Sequence, residues 1–94
     1  MRWRIEWMDG AVSDLQRISE YIERDRNVAA ANRVAEAIYT AIQSLQTMPY
    51  RGRSGRLEGL RELVVPRLSY IVFYRVLEDR VAIIGIVHGA QKRP

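Results

Sequence analysis

The chain has one histidine, His88, which closes an apolar run and directly precedes Gly89. An imidazole with an unperturbed pKa of about 6.5 exchanges protons near neutrality, so His88 is a candidate acid or base. A hydrogen-bonded structural histidine is the other reading of that position. Arg61 stands between Leu60 and Glu62. Its planar guanidinium is suited to holding a phosphate through two parallel bonds, or to closing a cross-strand ion pair. Glu58 and Glu62 are the carboxylates nearest to it in sequence. Arg51, Arg53 and Arg56 are interleaved with glycine and serine, so they read either as a loop that comes close to an anionic surface or as a solvated basic turn. Tyr70 and Tyr74 recur at even spacing on one strand and can stack on bases or pack half-buried. With no cysteine and a single histidine, thiol nucleophiles, disulfide frameworks, Cys-based metal sites and His-rich metal sites are excluded; no metal or cofactor is expected.

Charge divides the chain. Residues 1–50 hold six arginines and seven acids, net −1, whereas residues 51–94 hold eight arginines, one lysine and four acids, net +5. That asymmetry points to an acidic or nucleic-acid partner facing the second half. Fourteen of the fifteen cations are arginine, which is also the signature of a high-GC genome.

These residues need a frame. Ninety-four residues with 48% hydrophobic and 28% charged side chains suit one globular domain, 1–94. No run nears the ~20 apolar residues of a membrane span, and Met1–Arg4 has no signal-peptide character, so a cytoplasmic protein is expected. Trp3, Ile5 and Trp7 alternate with Arg4 and Glu6, predicting a strand over Arg2–Met8 that ends at Asp9–Gly10. Leu15, Ile18, Tyr21 and Ile22 recur at helical spacing, with Asp9 or Ser13 as cap. After a polar string, Asn27 caps a second helix with the stripe Val34, Ile38, Ala41, Ile42, Leu45 and Met48, which Pro49 stops. Residues 50–59 lack periodicity and form a loop. Strands follow at Leu60–Val65, Tyr70–Val76 and Val81–Val87, the last two joined by Leu77–Arg80. The order β-α-α-β-β-β predicts an α+β fold: a helical hairpin on a mostly antiparallel, twisted sheet.

Counted in steps of two, Tyr70, Val72, Tyr74 and Val76 oppose Ile71, Phe73 and Arg75, and Val81, Ile83, Gly85 and Val87 oppose Ala82, Ile84, Ile86 and His88. Both faces are apolar, yet two helices cover only one. The second face awaits a protein partner, unless the 50–59 loop or the C-terminal tail folds over it.

The assembled pieces resemble the RelE/ParE superfamily of type II toxin–antitoxin toxins, also called plasmid stabilisation proteins. The resemblance is carried by Ala11-x-x-Asp14-Leu15-x-x-Ile18-x-x-Tyr21-Ile22, Pro49-x-x-Gly52-Arg53, Gly59–Val65, Tyr70–Val76 and Ile86–Pro94. It implies growth inhibition and neutralisation by an antitoxin whose C-terminal segment wraps the toxin, in a hetero-oligomer. On that implication Tyr70, Val72, Tyr74, Ile84 and Ile86 are the expected antitoxin contacts. ParE-like members poison DNA gyrase and need no catalytic set; here Arg51, Arg53, Arg56, Arg61 and His88 would meet the target. RelE-like members cut mRNA on the ribosome, and Arg61 and His88 would then be catalytic. The string Tyr70-Ile71-Val72-Phe73-Tyr74 carries isoleucine where those nucleases carry arginine, and Lys92 is the only lysine, so ParE-like members are the closer match.

Overall fold

The alternation around Trp3 and Trp7 folds as β1 (Arg4–Trp7), and the chain turns at once into α1 (Asp9–Asp25). The computed structural model describes residues 2–89. Asp9 therefore opens the helix rather than ending the strand. Met8 flanks the helix without a side-chain cap, and Ser13 lies inside it. Asn27 does cap α2 (Val28–Gln43): its Oδ1 accepts from the Ala30 N–H at 2.7 Å. α2 ends before Pro49, relaxing into a 3-10 turn over Ser44–Gln46. The connection that follows is not wholly irregular, because Arg53–Ser54 form a short strand, β2. β3 (Arg61–Val64), β4 (Tyr70–Val76) and β5 (Arg80–His88) complete a sheet of order β1-β5-β4-β3-β2. All neighbours are antiparallel except β1 and β5, which run parallel with Ile5 beside Val81 and Trp7 beside Ile83. Arg80 fastens that junction by donating to Glu6 and Asp79.

The helical hairpin covers one sheet face. Ile38, Ile42 and Leu45 of the second helical stretch meet Val72, Tyr74, Val81, Ile83 and Ile86, all buried. Two stripe members leave this core: Tyr21 is 60% exposed and Met48 56% exposed. Burial of this kind is worth about 25 cal/mol per Å² of apolar surface and is the main force holding hairpin to sheet.

The expected antitoxin face has to be corrected. Val72, Tyr74 and Ile86 lie beneath the helices as core residues and present no surface. The pairings Tyr74–Ile83 and Phe73–Gly85 leave Ile84 as an unpaired extra residue, a β-bulge. The bulge resets the alternation, so Ile83 and Ile86 share the helix face while Ile84 turns out to solvent. The opposite face is not open sheet either. Ile71 and Phe73 are buried in a second cluster with Leu60 and the half-buried Val87. Leu60, expected to open the strand Leu60–Val65, instead lies just before β3 and closes over this face. The tail that shares the motif from Ile86 onward, Ala90–Pro94 with Lys92, lies outside the described residues.

Candidate functional site

The segment between α2 and β3 is built around Gly52. Its N–H donates to the Tyr74 hydroxyl at 2.8 Å, and its carbonyl accepts from Arg61 Nε and Nη2 at 3.1 and 2.6 Å. A Cβ here would sit 2.5 Å from the Tyr74 hydroxyl and 2.8 Å from the Glu62 carbonyl, so no larger residue fits. Arg61 Nη2 also donates to the Tyr50 carbonyl at 3.0 Å, and the guanidinium lies 5.4 Å from the centre of the Tyr50 ring. Arg61 is thus a clamp on its own chain, not the cross-strand ion pair that its neighbours suggest.

The other loop arginines divide. Arg53 donates through Nε and Nη2 to the buried Glu62 carboxylate at 3.1 and 3.0 Å, which makes that burial tolerable. Arg51 donates to Ser44 Oγ at 2.7 Å. Arg56 is exposed and makes no ion pair among the described residues.

His88 sits elsewhere. It pairs with Tyr70 on β4, whereas Arg61 pairs with Tyr74. Four residues of extended strand, about 13 Å, and the width of β4 separate the two side chains expected to act together. His88 instead meets Tyr70 edge-to-face, with ring centres 5.4 Å apart, beside Asp14, Arg17 and Tyr21. Burial of the Tyr70 phenol, reinforced by Tyr21, raises its pKa above the ordinary 10.0. The neutral phenol is therefore favoured by folding: its contribution is complete below pH 10 and is lost as pH rises through the higher folded value. We expect Tyr70 to ionise late in an alkaline absorbance titration, and Tyr70→Phe to remove that step. A titration curve unchanged by Tyr70→Phe would refute it.

Asp14, visible in sequence only as a motif letter, has a structural task. Beyond Trp7 the outer edge of β5 has lost β1, and Asp14 Oδ2 reaches from α1 to accept the Ile86 N–H at 2.8 Å. Gly85 makes room, since a Cβ there would stand 3.1 Å from that oxygen.

One concave surface lies between α2 and the outer edge of β3. It is a groove of about 550 Å³ lined by Arg33, Ala37, Thr40, Ser44, Arg51 and Val64. β2 pairs with β3 only at Arg61 and Glu62, so among the described residues no strand covers the edge beside Val64, which is 48% exposed. Such an edge can take up an extended segment from another chain. Of these lining residues only Arg51 was a sequence candidate. Val64, in an apolar run, carries no local sign that its outer edge lacks a neighbour. Among the described residues no three metal-ligating side chains cluster, and no helix is long and apolar enough to cross a membrane.

The family model described as ParE toxin of the type II toxin–antitoxin system parDE matches residues 5–93. A Sinorhizobium fredii protein named toxin Y4kP is 42% identical over 99% of this chain and 95% of its own. Toxin RelE2 of Caulobacter vibrioides is 38% identical over 94% and 97%. Among solved structures, the chromosomal ParDE system of P. aeruginosa superimposes with a TM-score of 0.86 at 21% identity, covering 93% of this chain and 96% of that one. The toxin–antitoxin complex RelBE2 of Mycobacterium tuberculosis gives 0.70 at 21% identity, over 97% and 95%. At that identity the likeness is one of fold: two helices packed on a five-stranded mixed sheet.

Proposed function

Because the chain belongs to the ParE toxin family of type II toxin–antitoxin systems, we propose that it arrests growth by binding and poisoning DNA gyrase and that a cognate antitoxin neutralises it. The observation that carries the gyrase reading is the failure of Arg61 and His88 to converge. One is spent on the Tyr50 and Gly52 carbonyls and the other lies on β5, across from the far end of β4. RNA cleavage needs a base, an acid and a cation around one phosphate, within hydrogen-bond reach of the groups they serve. A binding toxin needs only a surface. The antitoxin reading is supported by the groove beside Val64, where an extended segment would add to the free edge of β3. A second reading, a ribosome-dependent mRNA endonuclease, draws support from the relatives named RelE toxins.

Purified protein should block supercoiling by gyrase and accumulate cleaved DNA, and His88→Ala, which removes the single histidine, should abolish neither effect. Cleaved mRNA in a translation reaction, with gyrase untouched, would establish the second reading in its place.

A further inference from the structure

The thirteen arginines of the described residues are not equally free. Arg4, Arg17, Arg51, Arg53, Arg61, Arg75 and Arg80 hold carboxylates, hydroxyls or carbonyls of this chain. Arg2, Arg24, Arg26, Arg33, Arg56 and Arg67 have no such side-chain contact among the described residues. Three of these six, Arg26, Arg33 and Arg67, line one trough of about 550 Å³ between the helical hairpin and the β3–β4 turn, against a single acid, Asp25. Tyr21 and Tyr70 supply aromatic surface in the same trough. It shares Arg33, Ala37 and Pro66 with the groove beside Val64, so the two depressions are continuous.

Arg67 adds an independent sign. The Leu68 N–H donates to the Val65 carbonyl at 3.2 Å, closing a four-residue turn with Pro66 second and Arg67 third at φ 66°. A type II turn reserves that third position for glycine, because a side chain there is strained. Strain kept at an exposed cation is what a binding role would retain.

We propose that this trough receives an acidic stretch of the neutralising partner, its carboxylates paired by Arg26, Arg33 and Arg67 and its apolar side chains resting on Tyr21 and Tyr70. The proposal rests on the antitoxin reading above and names the chemistry of the segment beyond the β3 edge. A polypeptide is favoured over nucleic acid because the trough continues a strand-pairing edge, which recognises backbone amides.

The test uses the full chain with three dye-labelled probes: a twelve-residue alternating Glu-Leu peptide, its Gln-Leu counterpart and a twelve-nucleotide oligothymidylate. The Glu-Leu peptide should bind at least ten-fold tighter than the Gln-Leu peptide at low salt, and less so at high salt. Arg26→Gln, Arg33→Gln and Arg67→Gly should each weaken it by about three-fold, and Arg56→Gln should not. Arg67→Gly should do so without lowering the melting temperature, since glycine suits the turn; Arg67→Asn, which also tolerates that backbone, checks the same point. Equal binding of the two peptides, equal loss in Arg56→Gln, or tighter arginine-dependent binding of the oligonucleotide overturns the proposal. Growth arrest reports on the toxin reading separately: if the chain arrests growth and a neutralising partner rescues the triple variant as well as wild type, only this inference falls.

Discussion

Gly52→Ala is expected to lower the melting temperature by roughly 4 to 24 °C. Overpacking a filled interior costs about 1 to 3 kcal/mol, and each kcal/mol is worth about 4 to 8 °C in a domain of this size. The added methyl would collide with the buried Tyr74 hydroxyl and with the Glu62 carbonyl, and backbone cannot yield as a flexible side chain would. Moving Gly52 away also strips its N–H from that hydroxyl and its carbonyl from Arg61. Tyr74→Phe tests the same contact from the other side. It leaves the Gly52 N–H buried without its acceptor, at about 1 to 3 kcal/mol. Because both changes act on one contact, the double variant should lose less than the sum of the singles. A Gly52→Ala protein that melts with wild type would show that the segment has slack that the geometry denies.

Arg61→Ala should be the second severe change, at about 2 to 3 kcal/mol for charge-assisted bonds to the Tyr50 and Gly52 carbonyls together with the ring contact. Arg61→Lys should recover little of it, because a point charge cannot bridge two carbonyls while lying over the Tyr50 ring. The distinction from a target contact is measurable. If Arg61 positions the segment, the urea midpoint falls in step with the loss of growth inhibition, in both variants. A folded Arg61→Ala protein with an unchanged midpoint and no toxicity would instead put Arg61 in contact with the target.

The strands were largely legible because their apolar residues run in uninterrupted stretches bounded by polar turns. Tyr70–Val76 is read to the residue. Which side of each strand faces the helices was not legible, and the reason is local. Both faces are apolar, and a single extra residue, Ile84, inverts the parity of everything after it. Counting from Val81 sets Ile86 opposite Ile83, whereas the folded sheet puts both beneath the helical hairpin. Tyr21 misleads in the same manner, since one helical step from Ile22 carries it out of the core. The role of Asp14 depends on a partner 72 residues away, and that of Arg61 on carbonyls in a stretch without periodicity. Such pairings are products of tertiary closure. Asn27, whose cap needs only its neighbour three residues on, was readable from sequence alone.

The parallel pairing of β1 with β5 carries a consequence for biosynthesis. The strand that lies between the first-made ribbon and the rest is itself translated last of the five, so Ile5 and Trp7 wait for Val81 and Ile83 to emerge. Until Arg80–His88 clears the ribosome, the nascent polypeptide holds two halves of a sheet with nothing to join them. A product that stops short of β5 lacks the strand that bridges β1 to β4, and is expected to be unstable.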